Sequence, residues 1–436
     1  MMGSDKMLQR IEKSFALSLN DMRKIIKDFH AEMRNGLLRQ KSSLKMIPTY
    51  VNIPAGNEKG RFIALDLGGT NFRILKLELM GKGKIGDLKA RKFVLDKKHI
   101  TGKGKNLFDF VARCIKVFMK KEKMSYDEKM PIGFTFSFPV EQTGIASGHL
   151  LRWTKGFSAR GVIGMDVVKL LEKALDGEGI SNIKVSALVN DTVGTIAARG
   201  YENRNCDVGV IIGTGTNGCY VENQMIINIE WGNFNKLKRT SYDMQLDKES
   251  DNRGSQILEK MVSGMYLGEI SRLILEDLVR KKTLFRKSPP SIIFAKKYSL
   301  KTEYMSIIES DSSPNLSRTN MLLRRLGISK SSLEERKLVK KICGMVSRRA
   351  SRISAAAIAA VVTKMDSNLY RKHIVAIDGS LYEKHPHFSK NIKSALREIF
   401  GRKTNRIDMM LTKDGSGKGA AVIAAITAKV EEDAAE

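Results

Sequence analysis

The chain has 436 residues, and its 76 Lys and Arg against 47 Asp and Glu give a formal net charge of +29. With 42% hydrophobic residues and only 8 prolines, it can bury sizeable cores, and its length favours roughly two or three domains. This composition argues against disorder. No run of apolar residues approaches the roughly 20 needed to cross a bilayer, and the first residues lack the apolar segment of a secretory signal.

The four cysteines are Cys114, Cys206, Cys219 and Cys343. They are too scattered for a thiolate zinc site and too few to cross-link a chain of this length. We interpret them as reduced thiols, and by default we predict a cytoplasmic location.

The N-terminal segment has the periodicity of amphipathic helices. Apolar residues recur every three or four positions over residues 8–33, which places them on one helical face. Ser18, Asn20 and Asp21 are suited to cap a break inside this segment, and Gly36 is suited to end it. The sequence therefore predicts two helices, followed by a connection marked by proline and glycine over residues 48–60.

Strand signals follow this connection. FIALDLGG and FRILKLEL form a predicted β-hairpin that turns at Gly68 and Gly69. Later strand candidates are RKFVL at Arg91, GFTFSF at Gly133, VSALV at Val185, DVGVII at Asp207 and HIVAI at His373. They alternate with helical stretches, one of which begins with a capping box at Ser332 and Glu335. Hairpins combined with interleaved helices predict an α/β architecture with mixed sheets.

The stretch DLGGTNFR, which starts at Asp66, combines groups suited to phosphate. Glycines let a turn approach a phosphate closely and expose its backbone N–H groups. Asp66 is suited to hold a hydrated Mg²⁺, and Arg73 is suited to neutralise phosphate charge. Because GG turns also close ordinary hairpins, this stretch alone does not establish a site.

A second strand–turn–strand unit, DVGVIIGTGTNGCYVE, starts at Asp207 and places another glycine turn at Gly213. Two such hairpins, roughly 145 residues apart, predict a duplicated lobe with a cleft between the copies. Two other glycine-rich stretches do not fit the dinucleotide-binding and P-loop signatures that they superficially match. GKGKIG at Gly81 is not followed by a helix, and DGSGKGAA at Asp414 lacks essential positions of a P-loop.

With both hairpins in view, the chain resembles a eukaryotic-type hexokinase of the actin, Hsp70 and sugar-kinase superfamily. The resemblance covers nearly the whole chain, with its motifs in the family order. These motifs are GFTFSFP at Gly133, LLRWTKGF at Leu150, LVNDTVGT at Leu188, GTGTNGCYVE at Gly213, NIEWGNF at Asn228, EKMVSGMYLGE at Glu259 and AIDGSLYEKHPHF at Ala376. The chain departs from the family at Arg253, where proline is usual, and it is shorter around residues 312–332.

The resemblance implies a two-lobed, ribonuclease-H-like fold of the actin-like ATPase type, with mixed sheets and an interlobe cleft. Residues 1–59 would add N-terminal helices to the large domain, residues 60–192 would form the small domain, and residues 193–436 would complete the large domain. The implied reaction is ATP-dependent phosphorylation of the 6-hydroxyl of a hexose, glucose first and also fructose or mannose, with ATP and Mg²⁺ as its cofactors.

The implied hexose contacts are Ser137, Thr154, Lys155, Asn190, Asp191, Asn217, Glu230 and Glu259. The implied nucleotide contacts are Asp66, Gly68, Gly69, Thr70, Asn71, Arg73, Thr214, Asp378, Gly379, Ser380 and Gly415. Among them the resemblance implies catalytic roles for Asp191, as general base, and for Lys155, and a water-mediated Mg²⁺ contact for Asp66. Carboxylates and amides suit a hexose because its hydroxyls both donate and accept hydrogen bonds.

Two other functions stay open at this point. One is a catalytically idle sugar sensor on the same fold, against which the intact Asp191 and both phosphate turns argue. The other is an ATPase or filament protein of the actin branch, in which the sugar motifs would have no purpose.

The charge distribution suggests a separate hypothesis. Residues 280–352 hold 19 Lys and Arg against 5 Asp and Glu, so this region supplies 19 − 5 = +14 of the net charge. A solvated helical surface is the simpler explanation, and weak binding to an anionic surface is the functional one. No specific nucleic-acid site is predicted.

Overall fold

The computed structural model describes residues 2–68, 71–286 and 292–433. Within these ranges the strands are β1 (Ile47–Asn52), β2 (Lys59–Leu67), β3 (Asn71–Met80), β4 (Ile85–Val94), β5 (Met130–Phe136), β6 (Val140–Gly144), β7 (Ser147–Leu150), β8 (Ile183–Val189), β9 (Cys206–Ile212), β10 (Thr216–Glu222), β11 (Met225–Asn228), β12 (His373–Asp378) and β13 (Ile407–Leu411). The α-helices are α1 (Met2–Phe15), α2 (Leu19–Leu37), α3 (Lys97–Thr101), α4 (Gly104–Lys121), α5 (Val167–Gly177), α6 (Asp191–Glu202), α7 (Ser241–Glu249), α8 (Ile257–Val262), α9 (Leu267–Arg280), α10 (Ile292–Ala295), α11 (Thr302–Ser310), α12 (Ser317–Arg325), α13 (Leu333–Met365), α14 (Ser380–Lys384), α15 (Phe388–Phe400) and α16 (Gly415–Asp433).

Two mixed sheets form the framework. The smaller has the order β4-β3-β2-β5-β8, and the larger has the order β1-β11-β10-β9-β12-β13. In the smaller sheet β2 pairs antiparallel with β3 and parallel with β5, just as β9 pairs antiparallel with β10 and parallel with β12 in the larger. Apart from β1, both sheets share one strand order. The predicted mixed sheets are confirmed, and the duplication is visible in the topology.

Three clusters of buried apolar side chains hold these layers together. One lies between the smaller sheet and the helices α4 and α5, and another packs α2, α9 and α13 against the larger sheet. The third lies between the two sheets and contains α6 and α16. These two helices cross closely, because a Cβ on Gly419 would lie 1.7 Å from the carbonyl oxygen of Gly194. The crossing brings the start of α6, at Asp191, near the start of α16, at Gly415.

The predicted helix caps are confirmed. Ser18 caps α2 in a capping box with Asp21, and Ser332 caps α13 in a capping box with Glu335. The predicted connection over residues 48–60 is wrong at its start, because Ile47–Asn52 forms β1 and pairs with β11. Proline has no backbone N–H to donate to a neighbouring strand. Strand β1 lies at the edge of its sheet and has only one neighbour, so Pro48 is tolerated there.

All four cysteines are free and buried, as predicted. In the described part of the chain, no helix combines the length and the apolar character needed to cross a membrane.

Candidate active site

A cavity of about 370 Å³ opens where the loops after β5 and β8 face β10, β11 and α8. All the predicted hexose contacts line it, and they come from both sides: Ser137, Thr154, Lys155, Asn190, Asp191, Asn217, Glu230 and Glu259. Residues separated by more than 120 positions in the sequence thus meet in one polar cavity.

Asp191 stands at the first position of α6, directly after β8. Asn190 caps this helix, and its Oδ1 accepts a hydrogen bond of 3.0 Å from the backbone N–H of Thr192. Oδ1 of Asp191 accepts from the same N–H at 2.9 Å. Burial raises the pKa of the Asp191 carboxyl, while the positive charge of Lys155 acts in the opposite direction. A cleft acid with its pKa raised by burial is suited to accept a proton.

Lys155 enters the cavity from the loop between β7 and α5. Its backbone is left-handed, with φ of 56°, a conformation that is uncommon outside glycine and concentrates at functional sites. Its Nζ donates a hydrogen bond of 2.7 Å to the carbonyl oxygen of Ser137 and lies 5.5 Å from the centre of the Phe138 ring. The loop therefore holds the ammonium group inside the cleft.

The opposite wall contains a hydrogen-bonded cluster of amides around Glu230. Nδ2 of Asn217 donates to Oε1 of Glu230 at 3.1 Å, and Nδ2 of Asn228 donates to the same oxygen at 2.9 Å. Burial raises the pKa of Glu230, and the hydrogen bond from Asn228 opposes this rise. Asn228 is not among the predicted contacts, although the NIEWGNF motif begins with it. It orients Glu230, whose own backbone is left-handed with φ of 55°.

Glu259 projects from α8 into the same cavity. Its Oε2 accepts the backbone N–H of Thr216 at 3.0 Å. Burial raises its pKa to about 7, although this hydrogen bond and Lys155 act in the opposite direction. Gln256 also lines the cavity and has a left-handed backbone, yet it is absent from the predicted contacts. It lies three residues after Arg253, where the chain departs from the family, and three residues before Glu259.

The predicted nucleotide contacts of the first hairpin join the β2–β3 turn to α16. The guanidinium of Arg73 forms ion pairs with Asp66 and with Asp414. Oδ2 of Asp66 also accepts the hydroxyl of Ser416 at 2.9 Å. The structure thus brings together the two glycine-rich segments DLGG and DGSG, which lie at opposite ends of the sequence.

The turn itself is described only in part. A Cβ on Gly68 would lie 2.9 Å from Oγ of Ser137, so the turn closely approaches the loop after β5. Gly69 and Thr70 lie outside the described residues, and of Asn71 only the backbone, at the start of β3, is described.

The contacts predicted around the second hairpin also meet. Asp378 ends β12, and its carboxylate accepts the N–H of Gly379 at 2.7 Å and the N–H of Gly415 at 2.9 Å. Burial raises the pKa of Asp378 to about 6. Gly379 has φ of 126°, and a Cβ there would lie 2.4 Å from the carbonyl carbon of Ile212. Glycine is therefore required where β12 meets the β9–β10 turn.

Thr214 and Ser380 line a second cavity, of about 500 Å³. Met265 and Tyr298 line both cavities, so the two are adjacent. Beyond these two predicted residues the second cavity was not predicted, because its other walls come from the segment between α8 and α9, from α11 and the segment before it, and from α14. Two adjacent cavities suit two ligands that react with each other.

A duplicated two-sheet fold with a polar cavity, a half-buried acid and glycine turns beside it defines the class of sugar kinases with an actin-like ATPase fold. Family profiles described as Hexokinase match residues 7–201 and 207–426. Hexokinase-3 of Oryza sativa subsp. japonica is 39% identical, with 96% of this chain and 90% of the relative covered. Hexokinase-1 of Homo sapiens is also 39% identical, with 98% of this chain and 49% of the relative covered.

The solved structures agree. The hexokinase from Schistosoma mansoni complexed with glucose superposes with a TM-score of 0.89 at 39% identity, covering 98% of this chain and 99% of that one. The chain therefore belongs to the hexokinase family and is an enzyme of ATP-dependent hexose phosphorylation.

Proposed function

We propose that the enzyme transfers the γ-phosphoryl group of Mg²⁺–ATP to the 6-hydroxyl of glucose, and also of fructose or mannose. The observation that carries this proposal is the single cavity in which the half-buried acid Asp191 and the ammonium of Lys155 face the carboxylates Glu230 and Glu259. The Schistosoma mansoni relative of the same fold is complexed with glucose, which supports glucose as the first substrate.

In this proposal Asp191 is the general base. Its carboxylate takes the proton of the 6-hydroxyl while the hydroxyl oxygen bonds to the γ-phosphorus and the bond to the β–γ bridging oxygen breaks, so that ADP leaves. Phosphoryl transfer depends on positioning and on charge neutralisation more than on covalent catalysis. Lys155 supports both, because its charge faces Asp191 and favours the ionised form that accepts the proton.

The amide and carboxylate wall would select the sugar. Glu230, Glu259 and Asn217 offer acceptors and a donor that pair with hydroxyls on one face of a ring. An epimer would leave at least one of these buried groups unpaired, at a cost of roughly 1–3 kcal/mol each.

The nucleotide would occupy the second cavity, with its phosphates between the two glycine turns. Arg73 and the backbone around Gly379 and Gly415 lie at the junction of these turns. Oδ2 of Asp66 is used by Arg73 and Ser416, whereas Oδ1 lies 3.9 Å from where a Cβ on Gly68 would stand. A carboxylate oxygen beside a glycine turn fits a hydrated Mg²⁺, which would neutralise phosphate charge.

We also propose the division into residues 1–59 and 193–436 for the large domain and 60–192 for the small domain. Helix α16 lies at the boundary of the two, because it packs against α6 as well as against β2, β5 and β8. The cytoplasmic location stays a prediction.

A coupled kinase assay over glucose, fructose and mannose, with and without Mg²⁺, tests the function. We expect hexose-dependent ADP formation that requires Mg²⁺ and is fastest with glucose. ATP hydrolysis that is unaffected by glucose would favour the ATPase alternative. Glucose binding without any turnover would favour the idle sensor.

A further inference from the structure

Helix α12 presents an exposed face that the kinase reaction does not use. Its inner residues Thr319, Leu322 and Leu323 are buried. Its exposed outer positions are Arg318, Met321, Arg324 and Arg325. Because Met321 lies three residues from both Arg318 and Arg324 and four residues from Arg325, these positions share one side of the helix. We call this surface, together with the adjoining Ile307 of α11, the arginine face.

The arginine face mixes charged and apolar side chains. Met321 is 57% exposed and Ile307 is 39% exposed. The two helices are joined there, because the guanidinium of Arg318 donates a hydrogen bond of 2.7 Å to the carbonyl oxygen of Ser310 at the end of α11. Two large apolar side chains are thus presented to solvent beside three arginines.

Acidic residues offset this charge only at Arg318, whose Nε lies 3.9 Å from a carboxylate oxygen of Asp311. Of the five acids in the basic region of residues 280–352, Glu309 and Asp311 are buried and Glu335 caps α13. The other two pair with neighbouring lysines. Within the described ranges, Arg324 and Arg325 form no ion pair with any carboxylate.

Helix α13 adds further positive charge at the same place. The guanidinium of Arg336 donates to the carbonyl oxygen of Asn315 at 3.0 Å, and Nζ of Lys340 donates to that of Asp311 at 2.6 Å. Both side chains therefore lie against the loop between α11 and α12. The positive charge at the arginine face therefore comes from two consecutive helices, α12 and α13.

We propose that the arginine face docks reversibly on an anionic lipid surface. Basic side chains are attracted to anionic head groups, while exposed apolar side chains enter the boundary with the acyl chains. Met321 and Ile307 supply the apolar contacts. Single-stranded RNA is bound mainly by stacking on aromatic side chains, and the arginine face offers methionine and isoleucine in their place. Lipid is therefore the better fit.

Co-sedimentation of the full chain with vesicles tests this proposal. We expect binding to phosphatidylcholine vesicles that contain phosphatidylserine, weakening steeply as salt is raised. Replacing Arg324 and Arg325 by glutamine should lower the partition coefficient by about 10- to 30-fold, since each basic side chain near an anionic leaflet contributes about fivefold or slightly less. Met321→Ser should lower it by about threefold, because less apolar surface is buried.

A matched control separates this face from total charge. Lys120→Gln combined with Lys121→Gln removes the same charge from the exposed end of α4, and it should leave vesicle binding within about twofold if the docking is local. Kinase activity of all variants should equal that of the unchanged chain, which shows that they fold. Equal losses in both double variants, equal binding to uncharged vesicles, or retention on RNA without vesicle binding would each overturn the proposal.

Discussion

The two sheets reach the cleft with the same strand order but carry different chemistry at equivalent strand ends. The last parallel strand of the smaller sheet, β8, leads to Asp191, and the last parallel strand of the larger sheet, β13, leads to Asp414. Asp191 is half-buried, and burial raises its pKa, whereas the side chain of Asp414 is 47% exposed and pairs with Arg73. One copy of the topology therefore holds an acid suited to proton transfer, and the other holds an acid within an ion pair.

The two hairpins differ in a similar way. The β2–β3 hairpin contributes charge through Asp66 and Arg73. The β9–β10 turn contributes close backbone packing, because Gly379 meets Ile212 where no Cβ fits. The shared topology thus determines where strand ends meet, and the side chains at those ends determine the chemistry.

The largest expected effect comes from Asp191. Asp191→Ala should lower kcat by about 10²- to 10⁴-fold, which is the usual contribution of a general base. Glucose binding should survive better, because Glu230, Glu259 and Asn217 still line the cavity. Steady-state kinetics together with a glucose Kd measured by tryptophan fluorescence separates these two effects.

Asp414→Asn provides the matched control at the equivalent strand end. We expect it to change the KM for ATP through Arg73, to leave the glucose Kd unchanged, and to keep kcat within about tenfold of normal. A near-normal kcat in Asp191→Ala would mean that Asp191 is not the general base and serves only in the first turn of α6. The proposed difference between the two strand ends would then be wrong.

Local signals predicted most of the fold, and long-range packing accounts for what was missed. The caps at Ser18 and Ser332 and both hairpins follow from residues a few positions apart, so the sequence alone predicts them. The strand β1 was missed because Pro48 is typical of a connection, and its pairing with β11 depends on a partner nearly 180 residues away. The crossing of α6 and α16 is equally invisible locally, since Gly419 alone does not indicate that it meets Gly194.

Much of the site followed from the family resemblance rather than from local pattern. Singly, Glu230 would be interpreted as a solvated charge and Lys155 as a surface lysine. Asn228 and Gln256 were not predicted, because their positions beside Glu230 and Glu259 depend on left-handed turns and not on sequence periodicity. The raised pKa values also required the structure, since burial by distant elements causes them.

A smaller effect is expected from the close packing of the second hairpin. Gly379→Ala should destabilise the fold by roughly 1–3 kcal/mol and raise the KM for ATP, because the new Cβ would contact backbone atoms that cannot move aside easily. Gly401 is the matched control, since it also has positive φ, of 57°, but nothing lies within 4 Å of a Cβ there. Denaturant unfolding of both variants measures the difference, and equal losses would mean that backbone strain alone, and not the hairpin contact, requires glycine.

The smallest expected effect is a pH dependence of sugar binding through Glu259. Burial raises its pKa to about 7, so the free enzyme gains a proton there as the pH falls below neutrality. A protonated carboxyl has lost acceptor capacity for sugar hydroxyls. Because Glu259 must be ionised to bind glucose in this proposal, the glucose Kd should rise by about tenfold as the pH falls from about 8 to about 6.

Glu259→Gln separates this carboxyl from Asp191 and Glu230, whose pKa values burial also raises. The variant should bind glucose more weakly at high pH and should lose most of the pH dependence. The free energy of unfolding should respond to pH in the opposite direction. In the folded enzyme the pKa of Glu259 lies above its ordinary value of 4.5. Its contribution to stability is therefore complete below about pH 4.5 and is lost as the pH rises through about 7. As the pH rises toward about 7, the unliganded enzyme should therefore lose stability from Glu259 while its glucose affinity increases. A glucose Kd that does not change with pH would show that Glu259 does not need its charge to hold the sugar.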